Sequence, residues 1–335
     1  MIQAEKCNQV EQLAGFQYNL NEKVKQVAEL QHKTQEIRKS SHNTIQELRG
    51  NVRVVVRARP AQGSGGILSF GSDGARLTLS EGDQGQSYEF DRVFSPSSTQ
   101  DQLEGLVQSA IDGYNVALFA YGQTGAGKTH TMLGSDTGQQ RGVIPRALEK
   151  IFQETSVLTE TGWTFKVQVS AVQVFKEEVH DLLCTGELVN LRLIESKTSH
   201  QVAVQGLTTS QVRSSVEALD LLTRATGRRN TASTAMNQSS SRLHFVFMVR
   251  AVGSNPDRHD SVDGLLYLVD LAGSENAGRF QVPYRNSRLT RLLEPCLSNG
   301  GKVQLVVNLS ADAESARETS QSLRFAATAK SCALG

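Results

Sequence analysis

Over residues 1–49 the apolar positions recur at helical spacing. One heptad frame places Val10, Gln17, Val24, Gln31, Arg38 and Ile45 at a, with Leu13, Leu20, Val27, Thr34, Ser41 and Leu48 at d. Seven of these twelve are apolar, and four of the five exceptions lie between 31 and 41. No proline and one glycine (Gly15) interrupt a stretch rich in Gln, Glu and Lys, so the pattern predicts one long helix. Two readings fit it: a coiled-coil strand with a weak middle, or a solvated amphipathic helix docked on its own domain. Gly50-Asn51 ends the pattern.

From Val52 the period changes to two. Val52, Val54 and Val56 alternate with Arg53, Val55 and Arg57, the signature of a strand with one very apolar face. A Gly- and Ser-rich loop (62–66) and a hairpin around 67–93 are expected next. Residues 116–121 (VALFAY) read as a buried strand, followed by strands at 165–175, 244–252, 265–270 and 303–309. Helices are predicted at 100–113, 145–155, 214–228, 287–297 and 313–333. Apolar strands separated by helices imply an α/β domain, residues 50–335, whose sheet is covered on both faces.

Composition narrows the classes. Of 335 residues, 38% are hydrophobic and 21% charged, a globular balance. Lys plus Arg number 35 against 34 Asp plus Glu, which argues against a protein that coats nucleic acid over its whole surface. No apolar run of about 18 residues predicts a membrane span. The opening MIQAEKCNQVEQL lacks the apolar core of a signal peptide, so a cytoplasmic protein without membrane insertion is expected. Cys7, Cys184, Cys296 and Cys332 lie far apart, with no CxxC pair, and read as free thiols.

The strongest chemical signal is Gly122-Gln123-Thr124-Gly125-Ala126-Gly127-Lys128-Thr129, which fits GxxxxGK[ST] between a buried strand and a helix start. Glycines let successive backbone N–H groups turn inward around phosphates, and the helix dipole favours the anion. Lys128 would reach the β- and γ-phosphates, and Thr129 would ligate Mg²⁺. Asp270 ends the strand 265–270, where an acid can hold Mg²⁺ through water, and Gly273 can offer its N–H to a γ-phosphate. The polar stretch Asn237-Gln238-Ser239-Ser240-Ser241-Arg242-Leu243-His244 leads into a strand, and its hydroxyls could coordinate Mg²⁺ or place the attacking water.

From about residue 51 to 335 the chain resembles a kinesin motor domain, in seven blocks in the family's order. These are Arg57-Ala58-Arg59-Pro60, FAYGQTGAGKTHTM (119–132), GVIPR (142–146), the Asn237…Ser240-Ser241-Arg242…His244 stretch, LVDLAGSE (268–275), VPYRNSRLTRLL (282–293) and SLRFAATAKSC (322–332). The resemblance implies a P-loop NTPase fold, with a central mixed, mostly parallel sheet between two helical layers. It implies ATP as substrate with Mg²⁺, the metal held by Thr129, Ser241 and, through water, Asp270. Adenine would lie against Arg57, Pro60 and His130, with Arg59 a further candidate, and the phosphates in 122–129. Asn237, Ser240 and Ser241 resemble the first switch, and Asp270–Glu275 the second. Arg242 and Glu275 match the family's pair that closes across both switches, for which a bidentate Arg–carboxylate bond is well suited.

The resemblance also implies a track. Arg285, Arg288 and Arg291 match the tubulin-facing segment, and the last two can share one helical face toward an acidic surface. No aromatic residues are interleaved with them as single-stranded nucleic acid would require. A heptad helix running directly into the first strand, with the chain ending just after SLRFAATAKSC, is similar to the carboxy-terminal-motor kinesins, which walk toward minus ends. The expectation is a dimer joined through 1–49, acting on microtubules of the cytoskeleton or spindle. A generic P-loop kinase or GTPase is disfavoured, because AGSE rather than a guanine-reading NKxD follows the Asp270 strand.

Three departures qualify the match. Leu243 stands where the family has Ser, on the strand face opposite Arg242 and His244. Gln173-Val174-Phe175-Lys176-Glu177 replaces Glu-Ile-Tyr-Asn-Glu, so an acid has become an amide. Between Glu275 and Val282 only six residues stand where the family has a loop and a long relay helix. Loss of that helix is expected to uncover an apolar face of the sheet, at about 1.5–3 kcal/mol per exposed core side chain, unless neighbouring elements close over it. It also raises an alternative function: a nucleotide-binding, microtubule-associated subunit that does not step.

Overall fold

The computed structural model describes all residues except 1, 49, 62–65, 82–83, 101–104, 136–137, 196–201, 236–239, 276–286, 299 and 332–335. Helix α1 spans Ile2–Leu48. Gly50, at φ 85°, turns the chain out of it, a conformation that costs only glycine nothing. The last third of α1 is docked on the body. Gln35, Arg38, Lys39, His42, Asn43 and Gln46 form its least exposed stripe, at helical spacing and entirely polar. Leu13, Leu20, Val24, Val27, Ile45 and Leu48, on the a and d positions, are 47–82% exposed.

Strand β1 (Val52–Arg59) pairs in parallel with β5 (Arg92–Phe94) and β14 (Lys302–Ser310). Next to β14 comes β6 (Asn115–Tyr121), then β13 (Asp260–Asp270), both parallel. The sheet continues antiparallel through β12 (His244–Asn255), β7 (Thr164–Phe175), β8 (Glu178–Asp181), β9 (Asn190–Glu195) and β10 (Val202–Gln205). A short β11 (Ser210–Val212) adds to β7. A separate antiparallel sheet joins β2 (Leu68–Phe70), β3 (Arg76–Glu81) and β4 (Gln84–Glu89), so the expected hairpin is three strands plus the edge strand β5.

Two apolar layers sandwich the large sheet. On one face α2 (Val107–Ile111), α4 (Val143–Thr159) and α5 (Ser215–Ala235) pack over Leu118, Ala171, Phe247 and Leu268. On the other lie α6 (Arg288–Leu292), α7 (Glu294–Leu297) and α8 (Ala316–Lys330), with Leu292, Cys296 and Leu323 against Val246, Val269 and Leu305. The face expected to be uncovered is closed: Val172, Val174, Val246, Met248, Tyr267 and Val269 are all 8% exposed or less. Leu289, Leu292, Leu293 and Leu297 from the two short helices belong to that layer.

Several boundaries differ from expectation. The helix expected over 100–113 is, among the described residues, only Val107–Ile111. The helix over 287–297 is broken at Leu293, because Pro295 cannot donate a helical N–H. A 3₁₀ turn, Ala313–Ser315, precedes α8, which ends at Lys330. Strands β8 to β11 were not anticipated; they are short, and their pairing supplies the order that their pattern lacks. The β7–β8 hairpin turns through Lys176 and Glu177, both in the left-handed region, at φ 47° and 62°.

Candidate functional site

The site forms where β6 and β13 end side by side, with Ala120 opposite Asp270. After Tyr121 the chain turns sharply into the phosphate-loop sequence and starts α3 (Lys128–Met132). Gly122 has φ 141°, and a Cβ there would overlap the Asn308 carbonyl oxygen from the neighbouring β14. Gly127 caps α3 in the left-handed conformation, at φ 101°. Among the other loop residues, Ala126 is buried, while Thr124 and Gly125 face outward. Lys128 is folded back on the loop, its Nζ donating to the carbonyls of Gly122 (2.9 Å) and Gln123 (2.8 Å). Burial pushes the Lys128 ammonium down from its ordinary pKa, opposed by Asp270 and Glu275.

Asp270 is fully buried and central to the site. Its Oδ2 accepts from Thr129 Oγ1 (2.8 Å) and from Arg229 (2.8 Å), while Oδ1 is buried with no partner. An orphaned carboxylate oxygen beside a threonine hydroxyl at a helix start suits a hard, oxygen-seeking cation, so these residues fit Mg²⁺. Arg229 was not anticipated. The signal was present: Ala218, Leu222, Ala225, Arg229 and Ala232 form the buried stripe of α5, and a cation in such a stripe demands an acid.

The two switch segments are joined to each other and to the loop. Gly273 N–H donates to the Ser241 carbonyl (2.6 Å), and Ser274 N–H to the Gly122 carbonyl (3.0 Å). The Glu275 carboxylate accepts from the backbone N–H of Thr124 (3.0 Å) and from its hydroxyl. Burial raises the Glu275 pKa, but these bonds and Lys128 outweigh it and hold it below its ordinary value. The expected Arg242–Glu275 ion pair is not among the described contacts. Arg242 is exposed, and Glu275 is held by the phosphate loop instead. Ser241 lies in the 3₁₀ turn Ser240–Arg242, Asn237 lies outside the described residues, and Leu243 is fully buried. His244 accepts at Nδ1 from Ala272 N–H (3.1 Å), and burial pushes its pKa down to about 4.

The expected adenine group is partly assembled. Arg57 donates to Gln100 (2.6 Å) and Thr131 (3.1 Å), and Thr131 donates to Asn308 (2.6 Å). Gln100 in turn donates to the His130 carbonyl (2.8 Å), and Pro60 is exposed. Arg59 turns from this group to the Gly125 carbonyl (2.9 Å) and Asp312 (2.5 Å). Gln123 donates to Ser315 (2.9 Å), linking the loop to the start of α8. Gln100, Asp312 and Ser315 carried no sequence signal. Asn308 did, as a polar residue inside an otherwise apolar strand.

Of the three track arginines, Arg285 lies outside the described residues. Arg288 and Arg291 share α6, but Arg288 is directed back to β9, bonding Asn190 (3.3 Å) and the Leu191 carbonyl (3.2 Å). The shared outward face expected of that pair is therefore not formed by Arg288.

This arrangement has known counterparts. The sequence profile described as Kinesin motor domain matches residues 71–281 and 278–332. The chain belongs to the kinesin motor domain family. It is 37% identical to Kinesin-like protein KIN-14N of Oryza sativa subsp. japonica, over 96% of this chain and 48% of that protein. It is 33% identical to Carboxy-terminal kinesin 2 of Xenopus laevis, over 98% of this chain and 59% of that protein. The chain thus spans about half the length of the curated relatives it matches. Among solved structures, a C-terminal motor and motor homology domain of Kar3Vik1, fused to a synthetic heterodimeric coiled coil, superposes with TM-score 0.82, 29% identity and 99% coverage of both chains. A fast kinesin gives TM-score 0.77 and 32% identity, over 85% of this chain and 92% of that one. The kinesin fold, with its mixed central sheet between helical layers, is the fold of this chain.

Proposed function

We propose that this kinesin domain hydrolyses ATP with Mg²⁺ and acts on microtubules as a carboxy-terminal-type motor directed toward minus ends. The observation that carries the chemistry is Asp270, with one oxygen on Thr129 and the other buried and unbonded beside the phosphate loop. Mg²⁺, held by Thr129, Ser241 and through water by Asp270, would neutralise charge on the transferring phosphoryl group. The loop amides bind the phosphates, and Lys128 exchanges its two carbonyl acceptors for phosphate oxygens, which accept a charged donor more strongly. Gly273 N–H would exchange the Ser241 carbonyl for the γ-phosphate, and the Arg242–Glu275 bond would then join the two switches in its place. Glu275, drawn off Thr124, is then available to Arg242. Catalysis is mainly positioning and charge stabilisation of an in-line attack by water.

Track and assembly follow from the surface. Arg285 and Arg291, with α6, supply the basic contribution to tubulin binding. The apolar a and d residues Leu13, Leu20, Val24 and Val27 of α1 are more than half exposed, so a second helix along them would make a dimer. Such a protein works on the microtubule cytoskeleton, including the spindle. The six residues between Glu275 and Val282 favour a second reading, in which nucleotide and microtubules still bind but stepping is lost. ATP turnover of the purified chain, with and without polymerised tubulin, decides between them. Turnover that tubulin stimulates supports the motor; turnover indifferent to polymer supports the non-stepping subunit. Lys128→Ala should reduce turnover at least a hundredfold, and unchanged turnover in that variant would remove the phosphate-loop assignment.

A further inference from the structure

One row of side chains crosses four strands beneath α5. Asp270 on β13 is opposite Phe245 on β12, Phe245 is opposite Gln173 on β7, and Gln173 is opposite His180 on β8. Direct cross-strand partners share a face, so all four side chains point to the layer that α5 covers. Arg229 of α5 lies across the middle of the row. Its guanidinium sits 5.3 Å from the Phe245 ring centre while donating to Asp270. Along the row, Asp270 Oδ1, Arg229 Nε, His180 Nδ1 and both polar atoms of Gln173 are buried without hydrogen-bond partners.

Such a concentration of unmet groups is uncommon in a folded core and points to an arrangement with a second state. Gln173 is fully buried, at the position where this chain carries an amide in place of the family's acid. In the row it lies beyond Phe245, two strands from Asp270, and its amide oxygen is an acceptor. Arg229 offers a rigid fork of five donors and needs an acceptor wherever it points. The charged Asp270 is the stronger acceptor and holds it in this structure.

We propose that Gln173 is the alternative acceptor for Arg229, a positioning residue that receives the guanidinium when the Asp270 carboxylate turns to the metal's water. The amide then sets how readily Asp270 is released to the Mg²⁺ site. Being neutral, it holds Arg229 only weakly, so Mg²⁺ competes with an ion pair at each cycle of binding and loss. This inference rests on the magnesium–nucleotide reading above.

The test uses the full chain with a fluorescent ADP analogue, measuring the Mg²⁺ concentration that half-maximally slows its release. Gln173→Glu gives Arg229 a carboxylate and should lower that concentration by about three- to tenfold, the effect of one charge-assisted bond. Gln173→Met keeps the shape, removes the acceptor and should raise it by a similar factor. Met also removes an unbonded amide, so its metal-free unfolding temperature should equal or exceed that of the unsubstituted chain. A purely structural role for Gln173 does not combine equal stability with weaker Mg²⁺ dependence. Shifts of the same sign in both variants, or no shift while the unsubstituted chain keeps its Mg²⁺ dependence, overturn the proposal. If Gln173→Glu does not fold, the Met variant carries the test alone, and an unchanged half-saturation in it overturns the proposal. No Mg²⁺ dependence in the unsubstituted chain overturns the metal–nucleotide reading first, and this inference with it.

Discussion

Replacing Asp112 by Ala should loosen the end of α1 while leaving the body folded. Asp112, at the end of α2, is 7% exposed and accepts from Arg38 (3.0 Å), Asn43 (3.5 Å) and Gln108 (3.3 Å). Asn43 also accepts from Lys302 (2.9 Å), a residue 3% exposed whose ammonium lies over the Tyr114 ring. Burial pushes the Lys302 pKa down, and Glu47 and Asp112 are the negative charges that oppose this. The Arg38 side chain is 39% exposed, so its ion pair contributes only about 0.5–1 kcal/mol after screening. The Asn43 bond adds about 0.5–1 kcal/mol, while the Gln108 bond lies within the body. The two contacts that cross to α1 therefore sum to about 1–2 kcal/mol, and that cost falls on docking. Hydrogen exchange of amides 35–48 should accelerate by about 5- to 30-fold, at 1.4 kcal/mol per tenfold. Exchange in β6 and β14 should stay within a factor of about three. Unchanged protection of 35–48 would refute the polar-anchor argument, and a collapse of the whole domain would refute its locality.

Other outcomes are equally direct. His244 has a folded pKa of about 4 against an ordinary value of 6.5, so the folded state disfavours its proton. Its contribution to stability is intact above pH 6.5 and is lost as pH falls toward 4, by up to about 3 kcal/mol. Denaturant unfolding of the unsubstituted chain and His244→Gln across that window should show the slope in the former and its reduction in the latter. Gly122→Ala forces a Cβ against the Asn308 carbonyl in a left-handed conformation. It should cost about 3 kcal/mol in urea unfolding and abolish nucleotide retention; a fully stable, nucleotide-binding variant would contradict the close approach of β14. Leu20→Lys with Val27→Lys places charges on the exposed stripe of α1. The pair should convert a sedimenting dimer to monomer with unchanged unfolding of the body, and persistence of the dimer would exclude that stripe as the interface.

Local chemistry wrote much of this protein into its sequence. The GxxxxGK[ST] loop, the apolar strands β6, β13 and β14, and the long helix α1 follow from short-range rules: backbone freedom at glycine, period two or 3.6, and the absence of breakers. Their positions along the chain were legible for that reason, as was the family. The pairing of distant groups was not, because it depends on which faces meet. Tertiary structure placed Arg229 of α5 on Asp270, turned Arg288 back to β9, and held Glu275 on Thr124 rather than beside Arg242. It also docked the end of α1 through polar residues and left its apolar a and d residues exposed. The six-residue interval after Glu275 shows the division most clearly. Sequence located the deficit and predicted an exposed apolar face; in the structure that face is buried, because burial is a property of what lies opposite, which no single segment specifies.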